Sequence, residues 1–117
     1  MPPSTDRLKI LFVCTINRMR SATAHVLYAA DTRFEVRSAG TDSNAAVPLT
    51  RMLLDWADSV VVMERVHRNH IRKHYPDIYE CKQVVCLYIP DEYDYMQAEL
   101  TTLIKARFEN VYSRGLI

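Results

Sequence analysis

The hydrophobic residues of the chain fall into short runs that polar segments separate. Two runs are continuously apolar or β-branched, which is typical of strands that are buried on both faces of a parallel sheet. Two shorter runs bounded by polar or turn residues favour further strands. The pattern therefore predicts four strands, at residues 8–13, 34–37, 59–63 and 83–88.

Between these runs, apolar residues recur at helical spacing. The spacing predicts helices over residues 21–30, from residue 48 onward, over 65–74 and over 95–108. Ser21 is the expected N-cap of the first helix, and Pro48 suits the first turn of the second. The second helix would bury Leu49, Met52, Leu53 and Trp56, and the last would pack Met96, Leu100, Leu103, Ile104 and Phe108 into the core.

Strands that alternate with helices indicate right-handed βαβ units. We therefore expect an α/β fold with a four-stranded parallel sheet and helices on both of its faces. One domain over residues 1–117 fits the length, with residues 1–6 as a flexible lead. In such a fold, ligands bind where the strands end and helices begin.

The amino-acid composition excludes several classes of function. The chain contains two glycines among 117 residues, and neither lies near the first strand. This excludes the glycine-rich loops of nucleotide-binding proteins. A net charge of +1 argues against general nucleic-acid binding. Three cysteines without CxxC spacing indicate a reduced, cytoplasmic protein, and no segment is apolar for long enough to cross a membrane.

A cysteine, an arginine and a serine lie in the loop that follows the first predicted strand. The loop reads C-T-I-N-R-M-R-S and begins at Cys14. Its successive N–H groups and the following helix dipole can converge on one phosphate or sulfate ion. Arg20 can bind two oxygens of that ion, and the same positive field favours a Cys14 thiolate aimed at phosphorus. The simpler interpretation, a buried cysteine and a surface arginine, fits this position less well.

The run F-V-C-T-I-N-R-M-R-S-A-T-A resembles the signature of the low-molecular-weight protein tyrosine phosphatases. The resemblance continues through S-A-G-T at 38–41 and A-D-S-V-V-V-M at 57–63, and ends at I-P-D-E-Y, residues 89–93. The chain resembles a shortened member that lacks a segment between Thr41 and Asp58 and most of the C-terminal region. The resemblance implies the family's fold and hydrolysis of phosphotyrosine proteins or small aryl phosphates, without metal or cofactor.

The resemblance also implies roles for individual residues. Cys14 would form a phosphocysteine, Arg20 would bind the phosphoryl oxygens, and Asp91 would protonate the leaving group and later activate water. Asn17 would lock the loop, Ser21 would donate to the sulfur, and Tyr93 would line the pocket. The loop residues between Cys14 and Arg20 would bind phosphate through their amides; they are Thr15, Ile16, Asn17, Arg18 and Met19.

The acid and the pocket wall each have competitors. Asp91 follows a predicted strand and therefore faces the same sheet edge as Cys14, but Glu92 and Asp94 lie beside it. Tyr93 is the predicted wall, although Tyr88 and Tyr95 are close in sequence and tyrosines often simply pack.

The chain departs from the family pattern at several positions. Ile16 replaces the usual glycine, Met19 a second cysteine, Ala22 a proline, His25 an acidic residue and Glu92 a proline. Ile16 removes no N–H donor, so anion binding should survive. Met19 cannot form a disulfide within the loop, so we expect peroxide to over-oxidise Cys14 unless Cys81 or Cys86 lies close.

Two alternative functions are consistent with these departures. The loop could hold phosphate or a phosphopeptide without turnover, which Ile16, Glu92 and the short chain would favour. Arsenate reductases that work with thioredoxin share this loop and relay oxidation through two more cysteines. The spacing of Cys81 and Cys86 disagrees with that relay, so the reductase is the less favoured alternative.

The predicted helix at 65–74 is strongly basic and carries His67, His70 and His74 at helical spacing. A zinc site would need a further ligand, and no cysteine or acid stands at ligand spacing. We therefore expect a solvated basic face, with an acidic partner as the alternative.

Overall fold

The predicted sheet is present in the computed structural model, which describes residues 7–117; the expected flexible lead at 1–6 lies outside the described residues. Its four strands are all parallel and lie in the order β2-β1-β3-β4. The strands are β1 (Leu8–Cys14), β2 (Phe34–Gly40), β3 (Ser59–Val62) and β4 (Gln83–Cys86). The helices are α1 (Arg20–Tyr28), α2 (Arg51–Trp56), α3 (Arg65–His74), α4 (Pro76–Cys81) and α5 (Ala98–Ser113).

Helices cover both faces of the sheet, as the pattern predicts. On one face, α1 and α5 enclose an aromatic cluster in which the rings of Phe12, Tyr28, Phe34 and Phe108 meet at centroid distances of 4.5–6.2 Å. On the other face, α2, α3 and α4 pack on aliphatic side chains. The central strands β1 and β3 are buried on both sides because each alternate residue meets one of these clusters.

The second helix differs from its prediction. It begins at Arg51 rather than Pro48, because the side chain of Thr50 caps it by accepting a hydrogen bond from the Leu53 amide. Pro48 instead forms an isolated bridge with Gly40. Leu54 is the buried residue of this helix, and Met52, predicted to be buried, is 80% exposed.

Helix α4, between α3 and β4, is absent from the sequence prediction. Pro76 occupies the first turn of α4, where its missing N–H costs nothing. The last helix is shifted toward the C-terminus, because Met96 adopts a left-handed φ of 59° and lies outside it. The predicted burial of Leu100, Ile104 and Phe108 is confirmed, and that of Met96 is wrong.

The parallel arrangement brings the carboxyl ends of all four strands to one edge. Cys14 and Gly40 are paired in register at the ends of β1 and β2. Glu64 lies two residues beyond β3, and the carbonyls of Val62 and Met63 accept hydrogen bonds from the amides of Leu87 and Ile89 after β4. The chain then turns at Pro90, so the loop that carries Asp91 meets the loop that carries Cys14.

Candidate active site

Cys14 lies at the end of β1, 2% exposed, with hydrogen-bond donors around its sulfur. The Asn17 amide donates to Sγ at 3.3 Å, and Ser21 Oγ lies 2.9 Å from Sγ. Ser21 Oγ accepts a hydrogen bond from Asn17 Nδ2 at 2.7 Å, and its proton can go to the sulfur or to the Ala39 carbonyl oxygen, which lies 3.4 Å away. The sequence predicts Ser21 as the N-cap of α1, but this prediction is wrong. Met19 takes the N-cap position, without a side-chain hydrogen bond.

The loop after Cys14 adopts its shape without a glycine. Asn17 alone in the loop has a left-handed φ, of 57°, and asparagine tolerates that region better than most residues. Ile16 lies outside that region and extends a 38% exposed side chain, so the family's usual glycine is not needed for the backbone here. Within residues 7–117, the amides of Ile16, Arg18 and Met19 donate to no protein acceptor. They can therefore bind an anion.

Gly40 supports this loop from β2. A Cβ atom at Gly40 would lie 2.4 Å from the Thr15 carbonyl oxygen and 2.6 Å from Ala45 Cβ. Real Cβ atoms do not approach other atoms so closely. The Asp42 amide also donates to the Thr15 carbonyl, at 2.9 Å. The glycine is thus required because the loop backbone packs directly on it.

Arg20 is a buried cation that reaches across the site to the loops after β3 and β4. Its Nη1 donates to the carboxylate of Glu64 and, at 2.9 Å, to the Ile89 carbonyl. Its Nη2 lies 3.8 Å from Asp91 Oδ1. Since a buried charge needs such partners, these contacts hold the guanidinium in one orientation next to the Cys14 loop.

Glu64, the N-cap of α3, and His67, in its first turn, also belong to the site. Neither residue is among the site residues predicted from the sequence. His67 Nδ1 accepts a hydrogen bond from the Glu64 amide at 3.0 Å, which leaves the proton on Nε2. That Nε2 donates to Thr15 Oγ1 at 2.9 Å. Burial, with the charge of Arg20, lowers the pKa of His67 to about 4, so the ring is neutral near pH 7. The available signal was position: both residues closely follow β3 at the ligand-binding edge.

Of the carboxylates of Asp91, Glu92 and Asp94, the described structure places that of Asp91 near Arg20. The Asp91 side chain is 69% exposed. Glu92 and Asp94 are exposed and form no ion pair within residues 7–117. This geometry favours Asp91 over its two competitors as the acid.

The predicted pocket wall, Tyr93, lies partly against the core. It borders a cavity of about 530 Å³ along α5. Tyr88, 54% exposed and with a φ of 56°, borders a different cavity of about 430 Å³ together with Glu64 and Pro90. Since Glu64 binds Arg20 and Pro90 precedes Asp91, this second cavity adjoins the anion loop. Tyr93 as a substrate wall stays a prediction.

The other two cysteines lie away from Cys14. Cys86 ends β4, two strands from β1, and its side chain belongs to the opposite face of the sheet from that of Cys14. Cys86 is buried, at 8% exposure, and burial raises the pKa of its thiol. Cys81 is exposed at the end of α4. Neither cysteine is placed to relay oxidation from Cys14.

The basic helix α3 differs from the expected solvated face at one residue. His67 is buried and bonded to Thr15, whereas the rings of His70 and His74 contact each other at a tilt of 42°, with centroids 4.4 Å apart. Across residues 7–117, no group of three or more His, Cys, Asp or Glu side chains is arranged to hold a metal ion. In the same part of the chain, no helix is long and apolar enough to cross a membrane.

Several solved structures with the same fold are named as phosphatases. The YwlE arginine phosphatase from Geobacillus stearothermophilus is 25% identical, with a TM-score of 0.68 over 93% of this chain and 96% of that one. SP-PTP, a low-molecular-weight protein tyrosine phosphatase from Streptococcus pyogenes, is 15% identical, with a TM-score of 0.76 over 92% of each chain. Vibrio vulnificus Wzb in complex with benzylphosphonate is 20% identical, with a TM-score of 0.68 over 91% and 95%.

These structures establish the fold. The chain has the fold of the low-molecular-weight protein tyrosine phosphatases, and the resemblance drawn from the sequence is confirmed at that level. The alignments reach almost from end to end of each relative, so the expectation that most of the C-terminal region is missing is wrong. Neither a family model nor a curated protein sequence matches the chain.

Proposed function

We propose that this chain is a phosphomonoester hydrolase that works without a metal ion through a phosphocysteine on Cys14. The observation that carries the proposal is the loop itself. Unpaired amides, a buried arginine and a cysteine sulfur surrounded by donors occupy one strand-to-helix turn. Phosphatases share the fold that holds this turn.

In the first step, the Cys14 thiolate attacks phosphorus in line with the leaving oxygen. A sulfur–phosphorus bond forms as the phosphorus–oxygen bond of the ester breaks. Asp91, protonated at this stage, transfers its proton to the departing oxygen. The loop amides and Arg20 stabilise the charge on the three equatorial oxygens, which is the task of Mg²⁺ in many other phosphoryl-transfer enzymes.

In the second step, the Asp91 carboxylate takes a proton from water. The water oxygen attacks phosphorus, the sulfur–phosphorus bond breaks, and inorganic phosphate and the Cys14 thiolate are released. Asp91 ends the cycle protonated again, ready for the next substrate. Its exposure suits this double role, because the group must exchange protons with solvent and admit water.

The hydrogen bonds of Glu64 keep Arg20 available for these steps. Nη1 of Arg20 is committed to Glu64 and the Ile89 carbonyl, while Nη2 lies on the side of Asp91. We infer that Nη2 and Nε bind the phosphoryl oxygens. Glu64 also offsets one positive charge at the site, so a substrate dianion meets Arg20 and the amides without a large excess of charge.

Phosphotyrosine or a similar aryl phosphate is the substrate class that we favour. One relative is named an arginine phosphatase, and phosphoarginine is the second candidate because that relative is 25% identical. In this chain, however, the exposed Arg18 lies in the anion loop. Its charge would repel the guanidino group of phosphoarginine but not an aromatic ring, with which a guanidinium can stack.

Hydrolysis of an aryl phosphate tests the proposal, with and without a metal chelator. We expect turnover that the chelator leaves unchanged and that falls by about 10⁴-fold or more in Cys14→Ser. Cys81→Ser is the matched control, because its thiol is exposed and distant. Tight phosphate binding with no turnover from pH 5 to pH 8 would support the binding-module alternative. Faster turnover of phosphoarginine than of phosphotyrosine would reverse the substrate assignment.

A further inference from the structure

A second cavity, which the proposed chemistry does not use, lies at the outer edge of the sheet. It encloses about 350 Å³ beside β4, the edge strand, and its floor includes Val85 and Cys86. Arg68 of α3, Arg107 of α5 and Arg114, which directly follows α5, also line it. We call this cavity the arginine groove.

The arginine groove concentrates positive charge on a protein whose net charge is only +1. None of its three arginines forms an ion pair with a carboxylate within residues 7–117. Elsewhere in that part of the chain, Arg20, Arg33 and Arg51 are paired with acids, whereas Arg7, Arg18, Arg37, Arg65 and Arg72 are not, so the groove differs from other surfaces in bringing three arginines to one cavity. The groove therefore offers charge that the described structure does not neutralise.

The groove adjoins the cavity next to the candidate active site, and Tyr88 stands between the two. Tyr88 borders both the arginine groove and the cavity that contains Glu64 and Pro90. Arg107 fixes this junction by donating to the carbonyls of Leu87 and Tyr88 at 2.8 and 3.0 Å. A chain that leaves the anion loop past Pro90 would thus reach Arg68 and Arg114 with Tyr88 between the two cavities.

We propose that the arginine groove binds an acidic segment of the phosphorylated substrate protein while the phosphorylated residue occupies the Cys14 loop. The proposal rests on the proposed phosphatase function and specifies its substrate as a protein with acidic residues near the phosphorylated one. Charge complementarity selects the occupant, because exposed unpaired guanidinium groups bind carboxylates and repel basic segments. Arg107 contributes charge as well as structure, whereas Arg68 and Arg114 are free to bind.

The test compares two phosphotyrosine peptides, one with a run of glutamates and one with glutamines, with the run on either side of the phosphotyrosine. The groove variant is Arg68→Gln with Arg114→Gln. The matched control, Lys73→Gln with Lys105→Gln, removes the same charge from exposed positions on the same helices outside the groove. We expect the groove variant to raise KM for the glutamate peptide by about five- to tenfold. The glutamine peptide and a small aryl phosphate should keep their kcat/KM.

Three results would overturn the proposal. They are equal KM values for both peptides in the unmodified protein, an equal loss in the groove and control variants, and a comparable loss with the small aryl phosphate. If no substrate is turned over, the proposed phosphatase function is wrong, but the groove proposal is not yet decided. Fluorescence anisotropy with the labelled glutamate peptide then tests binding to the groove directly. Weaker binding to the groove variant than to the control supports it. Equal binding of the peptide to the groove variant and the control contradicts it. So does displacement of the labelled peptide by single-stranded oligonucleotide at a lower concentration than by unlabelled glutamate peptide.

Discussion

The loop that carries Cys14 and the loop that carries Asp91 meet at the same edge of the sheet, but they are held in different ways. In the first loop and the start of α1, Asn17, Arg20 and Ser21 are buried; Asn17 donates to Ser21, and Arg20 donates to the Ile89 carbonyl. In the second, Asp91 is 69% exposed, and its contact with Arg20 is a 3.8 Å ion pair. The nucleophile and the anion site are therefore organised before substrate arrives, while the acid retains freedom to follow a leaving group and then a water molecule.

This difference predicts which substitutions reduce activity most. Changes in the loop that carries Cys14 should slow the hydrolysis of every substrate, since anion binding and nucleophilic attack both depend on it. Changes in the exposed loop should depend on how much help the leaving group needs.

Hydrogen peroxide should abolish activity irreversibly. A disulfide needs Cα atoms within about 7 Å, but Cys86 lies two strand spacings from β1, about 9–10 Å, on the other face of the sheet. Met19 offers no thiol within the loop, so Cys14 should proceed to the sulfinic and sulfonic acids. Mass spectrometry of the inactivated protein checks this. Recovery of activity with dithiothreitol, or a bridge from Cys14 to Cys81 or Cys86, would refute it.

Replacing Asp91 by Asn should lower kcat by about 10²–10⁴-fold with an unactivated phenyl phosphate. The loss should shrink with a nitrophenyl phosphate, because that leaving group departs with less need of a proton. Steady-state kinetics over a series of leaving groups provides the measurement. Glu92→Gln and Asp94→Asn are the matched controls, and a larger effect from either would move the acid to that residue.

Replacing Gly40 by Ala should lower activity by about ten- to a hundredfold and weaken phosphate binding together with it. The new methyl group would lie 2.4 Å from the Thr15 carbonyl and would displace the anion loop. Gly115→Ala is the control, because Gly115 has a φ of 73° and open space around it. That variant should lose a little stability and no activity. Equal activity in both variants would show that the loop tolerates the displacement.

Titration of His67 should affect stability more than rate. Its pKa of about 4 lies below the ordinary 6.5, so between these values the unfolded state binds the proton more readily than the folded state. The stabilising effect is therefore complete above pH 6.5 and is lost as the pH falls toward 4, by about 3 kcal/mol in total. His67→Gln should flatten the fall in Tm across that range. An unchanged pH profile would contradict the assigned neutral ring.

The sequence predicted the rigid region better than the exposed one. The apolar runs of β1 and β3 and the C-x5-R-S spacing are local signals, so the sheet and the residues of the anion loop could be identified directly. The contacts of Glu64 with Arg20 and of His67 with Thr15 depend on where α3 begins after β3. This is a tertiary relation, and the spacing of residues along the sequence does not encode it. The start of α2 depended on the Thr50 cap, which competed with the proline signal at Pro48.

The contrast also explains why Ile16 is compatible with the site. The family's glycine would suggest a strained position, but the residue with positive φ is Asn17. Sequence comparison therefore directed attention to the wrong backbone position. The glycine that the loop does need, Gly40, lies on the neighbouring strand, where the Thr15 backbone packs against it.

Trapping the covalent intermediate tests the central claim most directly. In Asp91→Asn, a nitrophenyl phosphate should still phosphorylate the enzyme, while hydrolysis of the intermediate, which needs the Asp91 base, is slowed. Rapid acid quenching followed by mass spectrometry should then locate one phosphoryl group on the peptide that contains Cys14. A phosphoryl group on another residue, or turnover with no phosphoenzyme at any quench time, would contradict the mechanism.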